Sequence, residues 1–143
     1  SKKEDSFLFS YDKTSVVLTI SPKDKRNTKA YNFYRKGEVL TLEIIFDVID
    51  ETLIVELFGE IDHNQATKGR ERIDHALDNY KTKNLIFDFS KVSFMDSSGI
   101  GIILGRYKKI ALFGGKVFVI HADKQIKRIL LVSGMSKIVQ IME

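Results

Sequence analysis

The chain has 143 residues, 43% of them hydrophobic, enough for one domain with a real core or for one domain plus an appendage. No apolar run approaches the roughly 18 residues of a membrane span, and nothing resembling a secretory leader follows Ser1-Lys2-Lys3-Glu4-Asp5, so neither anchor nor leader is expected. Cysteine is absent, which excludes disulfides, thiolate metal sites and Cys nucleophiles and fits a cytoplasmic location; the net charge of +4 belongs to residues 1–38, where nine Lys/Arg meet five Asp/Glu, while the rest is balanced.

Residues 6–20 alternate as strands do: Phe7, Phe9 and Tyr11, then Val16, Leu18 and Ile20. Pro22, with Lys23 to Lys29, marks a solvated loop. Residues 30–34 are ambiguous between helix and strand, and Lys36-Gly37 reads as a boundary. Basic residues mixed with Phe7, Phe9, Tyr11, Tyr31, Phe33 and Tyr34 could signal nucleic-acid binding. The alternation instead predicts that these rings are buried in added strands, and neither nucleic-acid nor membrane binding is expected.

Residues 39–48 and 51–58 predict a hairpin turning at Asp50-Glu51. Gly59-Glu60-Ile61 closes that run. Asp62 stands three residues before Gln65, a capping-box spacing that predicts a helix start. The helix carries Ala66, Ile73, Ala76, Leu77 and Tyr80 on one stripe. Residues 84–89 predict a short strand, buried on both faces. A second helix is expected from Ser97 to about Leu112, with Ile100, Ile103, Leu104, Tyr107 and Ala111 facing the core and Gly114-Gly115 ending it. Lys116 to Ile120 predicts another strand. A third helix follows over 123–133, burying Ile126, Ile129 and Leu130, and Ile138 to Ile141 is the last strand. The order β-β-α-β-α-β-α-β implies an α/β fold: a mixed, largely parallel sheet with helices packed against it.

The block Asp96-Ser97-Ser98-Gly99 carries the most chemistry. Its plain reading is a helix cap. The same geometry suits a phosphorylatable serine, since a phosphate at a helix start meets free N–H groups and the positive end of the dipole. The two readings are compatible. A nucleophilic Ser97 needs a base and an orienting group; none of His63, His75 and His121 has such a context, and the G-x-S-x-G elbow is missing. Gly101 and Gly105, four apart, predict a flat helix face on which Ile102 lies off the core stripe, a surface for a partner. Asp88, at the expected end of a strand, resembles a phospho-accepting aspartate but lacks a second acidic pair for Mg²⁺. No metal or other cofactor is expected.

Taken together, Gly59-Glu60-Ile61-Asp62-His63, Leu85-Ile86-Phe87-Asp88-Phe89, the block Val92 to Gly101, Leu104-Gly105-Arg106-Tyr107-Lys108, Ile126-Lys127-Arg128 and Ser133-Gly134 resemble the STAS domain of bacterial anti-sigma factor antagonists, in particular the sporulation type. The resemblance covers residues 39–143 and leaves 1–38 as an extension, expected to be added strands, whose role the resemblance does not define and for which self-association is one candidate. It implies a protein that is not an enzyme. Its unphosphorylated form binds an anti-sigma factor that is also a serine kinase and so frees the sigma factor; phosphorylation at Ser97 ends binding, and a PP2C-type phosphatase resets it. The expected partner surface is Asp62, Asp96, Ser97, Ser98, Gly99, Ile102 and Arg106. The alternative is a STAS interaction or nucleotide-sensing module outside a sigma cascade.

Overall fold

A computed structural model describes residues 5–11, 14–22, 29–35, 38–39 and 43–142, with side chains from Ile44 onward. Strands β5 (Glu43–Ile49) and β6 (Thr52–Ile61) form the expected hairpin, with Ile49 opposite Thr52. Its turn places Asp50 at φ 53°, a left-handed conformation that Asp tolerates better than most residues. Helix α1 (His63–Tyr80) then leads to β7 (Asn84–Met95), α2 (Ser97–Ala111) to β8 (Val117–Ile120), and α3 (Lys124–Val132) to β9 (Gln140–Met142). Strands β6 to β9 pair in parallel, as alternating strands and helices require.

The core follows from period-two alternation. Leu53, Val55 and Leu57 of β6, Leu85, Phe87 and Phe89 of β7, and Val117 and Val119 of β8 are buried on one face of the sheet. Ala66, Ile73, Ala76 and Leu77 of α1, Ile102, Ile103 and Ile110 of α2, and Ile126 and Leu130 of α3 complete the same cluster. Burying one such large side chain contributes about 1.5–3 kcal/mol.

Three boundaries differ from expectation. The strand predicted over 84–89 continues to Met95. Its register against β6 shifts between Glu56 and Phe58 and again between Gly59 and Glu60, inserting extra residues into β7. Burial therefore passes from 85, 87 and 89 to 92 and 95, and simple alternation is lost midway. Gly59 does not end its strand: at φ 89° it sits at the second bulge, where a glycine is favoured. The last strand is shifted to Gln140–Met142, because Gly134 (φ 80°) turns the chain into a 3₁₀ turn at Met135–Lys137.

Four further strands extend the sheet: β1 (Asp5–Tyr11), β2 (Thr14–Pro22), β3 (Lys29–Arg35) and the short β4 (Glu38–Val39). The sheet order is β1-β2-β3-β5-β6-β7-β8-β9, with β4 paired to β3. Residues 30–34 are thus strand, and β3 meets β5 from Lys29–Phe46 to Tyr31–Ile44. The loop expected after Pro22, the boundary at Lys36-Gly37 and the burial of the N-terminal rings lie outside the described residues and side chains. Among the described residues no helix is long and apolar enough to cross a membrane.

Candidate functional site

The neighbouring ends of β6 and β7 build the site. Ile61 stands beside Met95 in register, and both are buried. One residue further on, each chain turns into a helix: Asp62 caps α1 and Asp96 caps α2. The Asp62 carboxylate accepts from the Gln65 N–H at 3.1 Å, and the Asp96 carboxylate accepts from the Ser98 N–H at 2.8 Å. The Asp96 N–H donates to the Ile61 carbonyl at 3.1 Å and ties the two helix starts together. The electropositive ends of two helices, with an aspartate at each, therefore share one corner of the molecule.

This geometry separates the two readings of the serine block. Capping of α2 falls to Asp96, and Ser98 supplies the N–H it binds. Ser97 is the first residue of the helix, exposed, and its side chain is not the cap. Asp62, Asp96 and Ser98 are half-buried beside it.

Three residues expected on the partner surface lie inside instead. Gly99 is buried against Met95, whose thioether a Cβ at position 99 would strike. Ile102 is 1% exposed and belongs to the core. Arg106 is 8% exposed, with its Nε 2.8 Å from Asp74 of α1. The buried stripe of α2 is 99, 102, 103, 106 and 110, with Ile100, Leu104 and Tyr107 only partly covered. It is displaced by about one residue, roughly 100° of helix rotation, from the stripe the sequence suggests. A helix with apolar residues at 100, 102, 103 and 104 does not reveal which edge of its apolar arc is central, and a buried arginine is hidden from an apolar pattern. Burial pulls the Arg106 guanidinium below its ordinary range; Asp74 opposes this, and Arg70 adds to it.

Ile102→Ala is accordingly expected to destabilise the fold by about 3 kcal/mol, read from urea unfolding. An unchanged midpoint would show that Ile102 is not core.

One feature went unmarked in the sequence. Phe94 is 40% exposed, three residues from Ser97. In a strand where Met95 points inward its neighbour must point out, and that was the available signal. Asp88 does not end its strand but lies in the middle of β7, where its carboxylate accepts from the Ser90 N–H (2.9 Å) and meets His121 Nδ1 at 3.0 Å. His63 and His75 sit far apart along α1. Among the described residues no three His, Asp or Glu side chains form a metal-holding group.

Comparison with known proteins agrees with this architecture. The model of the STAS domain family matches residues 43–143. An anti-sigma F factor antagonist of Paenibacillus polymyxa is 36% identical over 102 residues, covering 71% of this chain and 87% of its own. The solved structure of the anti-sigma factor antagonist SpoIIAA in its unphosphorylated form superposes with a TM-score of 0.62 at 26% identity, over 70% of this chain and 88% of that one. The phosphorylated form of the Bacillus cell fate determinant SpoIIAA gives 0.57 at 27% identity, over 70% and 91%. The chain belongs to the STAS domain family, among the anti-sigma factor antagonists of the sporulation type.

Proposed function

We propose that this protein is an anti-sigma factor antagonist switched by phosphorylation at Ser97. Unphosphorylated, it binds an anti-sigma factor that is also a serine kinase, and the sigma factor is released. The kinase transfers the γ-phosphoryl group of ATP to Ser97 Oγ, ADP leaves, and the modified protein dissociates. A PP2C-type phosphatase hydrolyses the phosphoserine and returns the binding form. The protein acts as a regulatory binding partner and not as an enzyme.

The observation that carries this reading is the division of labour at the start of α2: Asp96 caps the helix, so the exposed Ser97 hydroxyl is available for chemistry. A phosphate there lies at a helix start, where it does not force the fold apart. It also places about −1.5 to −2 charges beside Asp62 and Asp96, against any partner seated on that corner. Asp62, Ser98 and the exposed Phe94 join Asp96 and Ser97 in the contact surface. The relatives named above are anti-sigma factor antagonists, which supports the same assignment. We read residues 39–143 as the switch-bearing domain and residues 1–38 as appended strands that can serve self-association. The family match over 43–143 supports that division.

The test is incubation with the cognate anti-sigma factor kinase and ATP, followed by mass spectrometry of the peptide containing Met95 to Arg106. A single phosphoserine at Ser97 is expected, with none in Ser97→Ala. An unmodified peptide, or phosphate on Ser98 alone, sinks the assignment.

A further inference from the structure

Helices α1 and α2 run side by side from the neighbouring ends of β6 and β7, and ion pairs recur along their seam about once per turn. Lys109 Nζ lies 3.3 Å from Asp78, and Arg106 Nε lies 2.8 Å from Asp74. In each pair α1 supplies the acid and α2 the base. One turn nearer the helix starts the pattern breaks. There α1 carries a base, Arg70, and α2 carries Gly101. The Arg70 Nη1 is 3.9 Å from where a Cβ on Gly101 would stand, and nothing else comes within 4 Å of that point.

Arg70 thus lies at a rung where the acid is missing. Its Nη2 donates to the Thr67 hydroxyl at 3.2 Å, a neutral group on its own helix. Its positive charge is felt by Arg106, one turn along the seam, as an unfavourable neighbour. Ser97 lies four residues before Gly101, on the same face of α2 and one turn of about 5.4 Å nearer its start.

We propose that Arg70 is the intramolecular receptor for the phosphoryl group on Ser97, which completes the seam by supplying its missing anion. This rests on the reading that Ser97 is the modified residue. A phosphoserine offers three acceptor oxygens, and a guanidinium fork binds two of them at once. Gly101 has no side chain to stand between them, so this glycine keeps a path open for Arg70. Phosphorylation then does two things: it presents negative charge to the partner, and it fastens the start of α2 to α1.

The experiment installs phosphoserine at position 97 during translation and follows its second ionisation by phosphorus NMR. The wild type, Arg70→Gln, Arg70→Lys and Gly101→Leu are compared. Asp62, His63 and Asp96, the other titratable groups at this corner, are present in all four, so their influence is common to all. The second pKa is expected to lie about 0.3–0.7 unit lower in the wild type than in Arg70→Gln, as a partly exposed ion pair requires. Arg70→Lys should restore part of the difference, and Gly101→Leu should remove it while keeping the arginine. Equal values in the wild type and Arg70→Gln overturn the proposal. Because no kinase is used, failure of the kinase to modify Ser97 would count against the switch reading and leave this measurement intact.

Discussion

Ser97→Asp is expected to weaken binding to the anti-sigma factor kinase by at least about tenfold, a loss of roughly 1.4 kcal/mol. Ser97→Ala is expected to bind as the wild type does and to stay bound when ATP is added. The argument is electrostatic. Ser97 is exposed between two half-buried aspartates that already cap their helices. A further fixed negative charge on that corner confronts a partner whose surface accommodated a neutral hydroxyl. The same substitution is mildly favourable inside the protein, because an acidic side chain in the first turn complements the helix dipole by about 0.3–1 kcal/mol. Lost binding therefore coincides with an unchanged or slightly raised melting temperature. Titration calorimetry beside thermal unfolding separates the two effects. The weakening should also shrink as salt is raised, since exposed charges are screened over about 8–10 Å at physiological ionic strength. Full affinity in Ser97→Asp would remove repulsion as the switching principle.

The fold was largely legible because its signals are local and agree with one another. Asp62, Asp96 and Asp123 each stand directly before an apolar-patterned run, and each proves to be the N-cap of its helix. The hairpin at Asp50-Glu51 and the order of strands and helices from residue 43 onward follow from alternation and turn chemistry. The failures share a physical cause: periodicity assumes regular elements. Two bulges, opposite Glu56–Phe58 and Gly59–Glu60 of β6, broke the alternation of β7 and hid its last six residues. In α2 the buried stripe includes two residues without an apolar side chain, Gly99 and Arg106, so the pattern pointed one position away. The site was legible as a sequence block but not as a surface. That Ser97 is exposed while Gly99 and Ile102 are buried depends on how α2 lies on the sheet and against α1. Arg106 needed knowledge of Asp74, 32 residues earlier, and Arg70 drew notice only once the helices were seen side by side.

Two glycines are expected to respond to the same substitution with opposite signs. Gly115→Ala should destabilise the protein by about 3 kcal/mol or more, as overpacking against immobile atoms does. Its added methyl would drive into the carbonyl oxygen of Lys83 and lie 2.8 Å from Ile110 Cγ2. The obstacle is backbone, and that backbone is held. The Lys83 and Asn84 N–H groups both donate to the Glu51 carbonyl, at 2.8 and 3.0 Å. The Leu85 N–H donates to the Lys116 carbonyl at 3.0 Å, and the Lys116 N–H donates to the Asn84 side chain at 3.0 Å. Retreat of Lys83 would strain the hydrogen bonds that start β7 beside β8, so the loss falls on the central sheet. Gly105→Ala meets nothing within 4 Å and sits in the interior of α2. It removes the backbone freedom of a mid-helix glycine and should stabilise by about 0.5–1 kcal/mol. Urea midpoints of the two variants test both at once. A tolerated Gly115→Ala would mean that the corner before β8 can relax. A destabilised Gly105→Ala would mean that the open face of α2 is occupied, and binding to the kinase would be the next quantity to measure on that variant.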